Sequence, residues 1–193
     1  MVDTSRLMKL EALTSKLKKE ALRVYRPMPH QVPFHESVAK ERVLRGGKRS
    51  GKTIASACEF ASLVTGQPLI GIDGQPMPMK HRVSTPDDPL LYWIIGYDSR
   101  HIGETIYHKL FMPGLFRIIR DEVTGEWRPF NEIDPRDAGR FKESEPVGPA
   151  IPERLIKDKS WVWENKNANY FESVELTNGA RIHAYISSTL HPK

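Results

Sequence analysis

Eight consecutive residues in the first third of the chain, Gly46 to Thr53, constrain its fold more than any other feature. They read Gly-Gly-Lys-Arg-Ser-Gly-Lys-Thr and fit the pattern G-x-x-x-x-G-K-[ST] at every fixed position. In such a loop successive backbone N–H groups curl around a polyphosphate, and glycine permits both the backbone angles and the close approach. We therefore predict a phosphate-binding loop whose nucleotide contacts come from Gly46, Gly47, Lys48, Arg49, Ser50, Gly51, Lys52 and Thr53.

The segments on either side of the loop have the pattern that it requires. Residues 41–45 are predicted to form a short strand, and the apolar spacing from Lys52 to about Val64 predicts a helix that ends near Gly66. The N-terminus of that helix directs its dipole at the same anion. Lys52 is predicted to bind the β- and γ-phosphates, and the Thr53 hydroxyl to bind magnesium. The predicted cofactors are ATP, or a close relative, and Mg2+.

Three polar residues outside the fixed positions of the pattern are further candidates. Lys48 or Arg49 could reach the γ-phosphate and stabilise charge in the transition state, as an arginine finger does, or both could face solvent. The amide of Gln31 carries a donor and an acceptor side by side, which matches the N6 and N7 edges of adenine. Its place just ahead of the loop, in Pro-x-Gln-x-x-Phe, favours an adenine-reading role. We predict Lys48, Arg49 and Lys52 as catalytic residues and Gln31 as a nucleotide-binding residue.

Two later segments predict the architecture around the loop. Residues 90–96 form a continuous apolar run of strand length, typical of a strand buried on both faces, and Asp98 can cap a helix that runs to about Phe111. A second strand–helix unit after the first favours an α/β fold with a parallel sheet flanked by helices. Residues 173–186 alternate around Asn178-Gly179, which predicts a β-hairpin with a two-residue turn.

The remaining segments define the predicted domain boundaries. Residues 1–25 are predicted to form an amphipathic helix, capped near Asp3 to Ser5, whose apolar stripe either packs on the domain or binds a partner. The proline-containing segment that follows is predicted to act as a hinge, so residues 26–193 form the P-loop domain. Residues 121–159 are charged and rich in proline and glycine, and we expect mostly irregular structure there.

Composition narrows the setting in which the chain works. Up to Thr53 there are 13 Lys and Arg against 5 Asp and Glu, which suits phosphates of a nucleotide or of nucleic acid, although a solvated helix face also accounts for much of this excess. The single cysteine rules out an internal disulfide and fits a reducing compartment. No apolar run approaches the roughly 20 residues that span a bilayer. We predict a cytoplasmic protein without a membrane segment, and without a zinc site because the histidines lack metal-ligand spacing.

The order of these pieces resembles the N-terminal ATPase domain of the large terminase subunit, the motor that packages DNA into the heads of tailed phages. The matching pieces are Pro29-His30-Gln31 with Phe34, the loop from Arg45 to Thr53, the strand Tyr92 to Gly96 with its helix, and Glu175 to Ile182. The resemblance implies a RecA/ASCE-like P-loop NTPase fold and ATP hydrolysis coupled to translocation of double-stranded DNA. It also implies a homo-oligomeric ring on a portal, together with a small terminase subunit. Many relatives carry one arginine where Lys48 stands, so either Lys48 or Arg49 could inherit its role.

The chain departs from that family in one respect. It ends at Lys193 with no apolar strand ending in Asp-Glu, so the resemblance implies an incomplete domain that stops before the Walker B carboxylates and lacks the C-terminal nuclease domain. Without these carboxylates magnesium is held less firmly and no base orients the attacking water. We therefore expect weak nucleotide binding and slow or absent hydrolysis by this chain. Two other functions remain open: a small-molecule or nucleoside kinase with the same loop, and a non-catalytic nucleotide-binding assembly module.

Overall fold

Two β-sheets organise the part of the chain that this computed structural model describes, namely Glu11 and residues 13–187. The larger sheet has the order β1-β7-β6-β5. Its strands are β1 (Leu91–Gly96), β5 (Val162–Asn165), β6 (Tyr170–Glu175) and β7 (Arg181–Ile186). β1 and β7 run parallel, whereas β7 with β6 and β6 with β5 run antiparallel. The sheet is therefore mixed, not parallel as expected. Short connections between β5, β6 and β7 reverse the direction of the chain, so these strands pair antiparallel.

The smaller sheet overlaps residues 121–159, which are mostly irregular as expected but contribute two of its three short strands. Strands β2 (Arg117–Arg120), β3 (Trp127–Pro129) and β4 (Glu145–Pro146) pair antiparallel in the order β3-β2-β4. The guanidinium of Arg128 donates to Asp121 at 2.9 Å and to both carboxylate oxygens of the buried Asp137. These ion pairs and short strands order a segment whose composition alone favours loops.

The helices are short, except for one of 14 residues. They are α1 (residues 13–18), α2 (Ala21–Val24), α3 (Val32–Glu36), α4 (Lys52–Thr65) and α5 (His108–Phe111), with a π-helical stretch His101–Tyr107 leading into α5. The predicted N-terminal helix is interrupted, because Glu20 has extended backbone angles (φ −67°, ψ 138°). The cap predicted near Asp3 to Ser5 lies outside the described residues. Among those described, no helix is both long and apolar enough to cross a bilayer.

Helix α4 matches its predicted bounds and supplies much of the core. It ends at Gly66, which has the left-handed angles of a C-cap (φ 70°) and donates its N–H to Ser62 O at 2.9 Å. The buried residues of α4 include Ala57, Cys58, Ala61 and Val64, and they share one core with residues of α2, β1, β6 and β7. The helix that packs the core is therefore the helix that begins at the predicted phosphate-binding loop.

Strand β1 is buried on one face only. Ile94 is buried, whereas Leu91, Trp93 and Ile95 are 55%, 59% and 54% exposed. The sequence predicted burial on both faces. The difference arises because alternate side chains of a strand face opposite ways, and the described residues cover one of the two faces. The helical segment after β1 is confirmed, since Asp98 Oδ1 accepts from the N–H of His101 at 2.7 Å.

The predicted hairpin is present, but its turn differs from the expected one. β6 and β7 pair as predicted, yet the N–H of Gly179 bonds to Leu176 O at 3.0 Å and the N–H of Leu176 to Ala180 O at 2.8 Å. Gly179 has φ +84°. This is a three-residue loop with glycine in the left-handed position, the next most common hairpin geometry after the two-residue turn.

Candidate functional site

The loop Gly46 to Thr53 curls around the ammonium group of Lys52. Lys52 is the first residue of α4, and its Nζ donates to the carbonyls of Gly46 and Gly47, each at 2.6 Å. The Ser50 hydroxyl lies 3.3 Å from the same nitrogen and donates to Gly47 O at 3.0 Å. The loop, its lysine and the N-terminus of a 14-residue helix therefore lie together, as the motif predicts.

Two positions in this loop have left-handed backbone angles. Arg49 has φ +63° and Gly51 has φ +75°. A Cβ at Gly51 would lie 2.5 Å from Nε2 of Gln31, whereas a Cβ at Gly47 would meet nothing within 4 Å. The two glycines thus have different roles: Gly51 is required by backbone angle and by close approach, while Gly47 leaves open space above the loop.

The strand predicted at residues 41–45 is not formed. Residues 42–47 have no regular secondary structure, and Val43 is 78% exposed. A strand exists only when its backbone N–H and C=O groups pair with a neighbour, and no described strand pairs with this segment. The loop is instead approached by an unpaired segment. That segment is held by Arg42, which donates to Phe34 O at 2.9 Å and to Glu59 Oε1 at 2.6 Å.

Gln31 lies behind the loop and is 2% exposed. Its Oε1 accepts from the backbone N–H of Met28 at 2.9 Å and from the hydroxyl of Tyr25 at 3.1 Å. Its Nε2 donates to Ser50 O at 3.4 Å, and the same carbonyl lies 3.2 Å from Nε2 of His30. The amide therefore contacts the loop directly, and its adenine-reading role stays a prediction.

A buried polar chain extends from Gln31 to α4, and sequence reasoning missed it. Tyr25 Oη lies 2.9 Å from His35 Nε2, and His35 Nδ1 lies 2.8 Å from Glu59 Oε2. Burial acts to raise the pKa of Glu59, but hydrogen bonds and charge from His35 and Arg42 more than offset it, so the pKa of this carboxyl lies below its ordinary value. Burial, with negative charge nearby, raises the pKa of Tyr25, which keeps its proton. No local pattern connects these residues, which lie 10 to 24 positions apart.

Beside the loop lies an open groove of about 560 Å³. Its lining includes Lys52 and Thr53 together with Trp93, His101 and Lys109. No Asp or Glu is among the described residues that line it. The predicted residues Lys48, Arg49 and Thr53 are exposed, so all three are accessible from solvent.

The residues present fit a nucleotide triphosphate with magnesium. A glycine with left-handed angles, an ammonium group held by loop carbonyls and a helix N-terminus form a cradle for an anion. Among the residues that the structure describes, no group of three or more His, Cys, Asp or Glu side chains is placed to hold a metal ion. Magnesium bound to a nucleotide takes most of its ligands from phosphate oxygens and waters and one or two from the protein, usually carboxylates; the described groove offers no carboxylate, and the Thr53 hydroxyl is the ligand that the motif predicts there.

Comparisons of the chain with protein-family models, with curated proteins and with solved structures gave no match.

Proposed function

We propose that this chain binds ATP with Mg2+ at the loop Gly46 to Thr53. The observation that carries the proposal is the loop wrapped around Lys52 at the start of α4. The loop N–H groups and the Lys52 ammonium would hold the oxygens of the triphosphate, and the Thr53 hydroxyl would hold magnesium. ATP supplies the phosphoanhydride bond whose cleavage drives work. Either Lys48 or Arg49, both exposed at the loop, can approach the terminal phosphate.

We further propose that the chain belongs to the ATPase domain of a DNA-packaging motor of the large terminase type. The support is the order of sequence pieces from Arg26 onward together with the loop geometry. In this proposal the full protein works in the host cytoplasm as a homo-oligomeric ring on a portal, with a small terminase subunit, and moves double-stranded DNA. No carboxylate lines the described groove beside Lys52 and Thr53, so the isolated chain is expected to hydrolyse ATP slowly or not at all.

Titration calorimetry with Mg-ATP tests the binding site. The wild-type chain is expected to release heat on binding, and Lys52→Ala is expected to lose it, because the charge that faces the phosphates is removed. Lys80→Ala is a matched control, since it removes an exposed lysine whose Nζ donates to Glu36 O away from the loop. Equal null heats for wild type and Lys52→Ala, from chains whose circular dichroism shows them folded, would refute the proposal.

Turnover measurements separate the motor from the kinase. Radioactive ATP detects slow release of phosphate, and the reaction is run with duplex DNA and, separately, with nucleosides and other small hydroxyl compounds. Release that rises with duplex DNA supports the motor. Transfer of the labelled phosphate to a small acceptor, with no response to DNA, would favour a kinase. ATP binding with no turnover under any condition would fit both the motor, whose described groove lacks a carboxylate, and an assembly module.

A further inference from the structure

We propose that Tyr25 and His35 are positioning residues that hold Gln31 against the phosphate-binding loop. The proposal rests on the loop being a nucleotide site, and it adds two residues that lie outside the loop motif. They act through Gln31, and neither needs to touch the nucleotide.

The first step is burial. Tyr25, Gln31, His35 and Glu59 are 3%, 2%, 7% and 8% exposed, so water does not compete strongly for their polar atoms. Every buried side-chain nitrogen and oxygen among the described residues has a hydrogen-bond partner. A fully satisfied buried network is expensive to rearrange, because any atom left without a partner keeps its full desolvation cost.

The second step is the direction of each hydrogen bond. The hydroxyl of Tyr25 donates its one proton to Gln31 Oε1, and the same hydroxyl oxygen lies 2.9 Å from His35 Nε2. On the other side of the ring, His35 Nδ1 lies 2.8 Å from the carboxylate of Glu59. With Oε1 filled by Tyr25 and by the N–H of Met28, the Gln31 amide has one orientation, and its NH2 group faces Ser50 O. Donors therefore run in one sense from Tyr25 through Gln31 to the loop, and His35 holds the Tyr25 hydroxyl from the other side.

The third step concerns the contact between this series of hydrogen-bonded side chains and the phosphate-binding loop. Ser50 O belongs to the peptide bond that precedes Gly51, and Gly51 is the loop residue with φ +75° whose Cβ position lies 2.5 Å from Gln31 Nε2. Gln31 thus donates a hydrogen bond to this turn and also fills the space behind it. At its other end this hydrogen-bonded series ends at Glu59, which lies on α4, the helix that begins with Lys52. Loop and helix are joined by side chains as well as by backbone.

The test compares two Tyr→Phe variants of the whole chain. Tyr25→Phe removes the hydroxyl that bonds Gln31, while the control Tyr92→Phe removes a hydroxyl that donates to Leu63 O at 3.3 Å, in the C-terminal half of α4. NMR without nucleotide follows the Gln31 side-chain NH2 and the backbone N–H of Gly51. We expect Tyr25→Phe to shift both signals and to speed exchange of the NH2 protons, and Tyr92→Phe to leave both unchanged.

Calorimetry with Mg-ATP gives the functional readout. We expect Tyr25→Phe to raise Kd about fivefold, the factor that corresponds to one lost hydrogen bond, and Tyr92→Phe to leave Kd at the wild-type value. If Tyr25→Phe matches Tyr92→Phe in NMR signals and in Kd, the positioning role is overturned. If Tyr25→Phe shifts the signals but wild type and Lys52→Ala both bind no Mg-ATP, positioning stands and the nucleotide proposal fails.

A measurement on the wild type covers the case in which Tyr25→Phe does not fold. The structure predicts NOEs between the Gln31 side-chain NH2 and the ring of Tyr25, and slow exchange of those NH2 protons with water. Fast exchange without such NOEs would overturn the proposal.

Discussion

Replacing Gly51 by alanine tests the loop geometry directly. Left-handed angles cost a residue with a Cβ roughly 1–2 kcal/mol, and Gly51 has φ +75°. The new Cβ would also lie 2.5 Å from Gln31 Nε2, so Gln31 must move and weaken hydrogen bonds that contribute about 1 kcal/mol each. Together these terms predict a loss of roughly 2–4 kcal/mol in the free energy of unfolding. Gly47→Ala, in the same loop, should change it by less than about 0.5 kcal/mol, because its Cβ meets nothing within 4 Å.

Urea unfolding without nucleotide measures this difference. Circular dichroism and tryptophan fluorescence are followed together, since coincident transitions justify a two-state free energy. A double variant, Gln31→Ala with Gly51→Ala, separates the two terms: with the Gln31 amide gone the clash disappears, and the cost of Gly51→Ala should fall to the backbone share of roughly 1–2 kcal/mol. If Gly51→Ala and Gly47→Ala unfold at the same urea concentration, the reasoning about the loop is refuted.

Three further predictions concern residues away from the loop glycines. Arg128→Ala leaves the buried carboxylate of Asp137 without its ion pair and should cost about 3–5 kcal/mol in urea unfolding, whereas Arg136→Ala, at an exposed pair, should cost far less. The lowered pKa of Glu59 stabilises the fold above the ordinary glutamate value of 4.5; this stability is lost as pH falls towards the folded-state pKa, so the wild type should lose more stability on acidification than Glu59→Gln. Burial and the nearby charge of Glu59 raise the pKa of Cys58, so an aromatic disulfide reagent should label this thiol only at the rate of unfolding; rapid labelling of the folded chain would contradict this.

Local patterns predicted the elements that depend on local interactions. The bounds of α4, its Gly66 cap and the Asp98 cap are set by residues within a turn or two of one another, and each is found as predicted. The hairpin at β6 and β7 was predicted for the same reason. Its turn was wrong because Asn-Gly fits both a two-residue turn and the three-residue loop in which Gly179 takes φ +84°.

Elements that depend on distant partners were not predictable from the sequence. Residues 41–45 have the pattern of a strand but pair with no strand among the described residues, and β1 has one covered face where an apolar run suggested two. The small sheet β2–β4 was missed because its strands have four residues or fewer and depend on the Arg128 ion pairs. The polar chain through Tyr25 and His35 was missed because its members come together only after folding.

The missing strand changes what holds the phosphate-binding loop in place. A strand leading into such a loop would fix its entry through backbone pairing, but here the entry segment is fixed by Arg42, which bonds Glu59 on α4. On the other side of the loop, Gln31 donates to Ser50 O. Gln31 is itself linked through Tyr25 and His35 to the same Glu59 carboxylate. Both sets of hydrogen bonds therefore end at the carboxylate of Glu59, two helical turns into α4. Glu59→Gln should therefore loosen both sides of the loop at once, and the exchange of the loop amides should rise more than for Arg42→Ala or Tyr25→Phe, each of which releases one side. Equal exchange of the loop amides in all three variants would show that the two sets of hydrogen bonds do not both depend on Glu59.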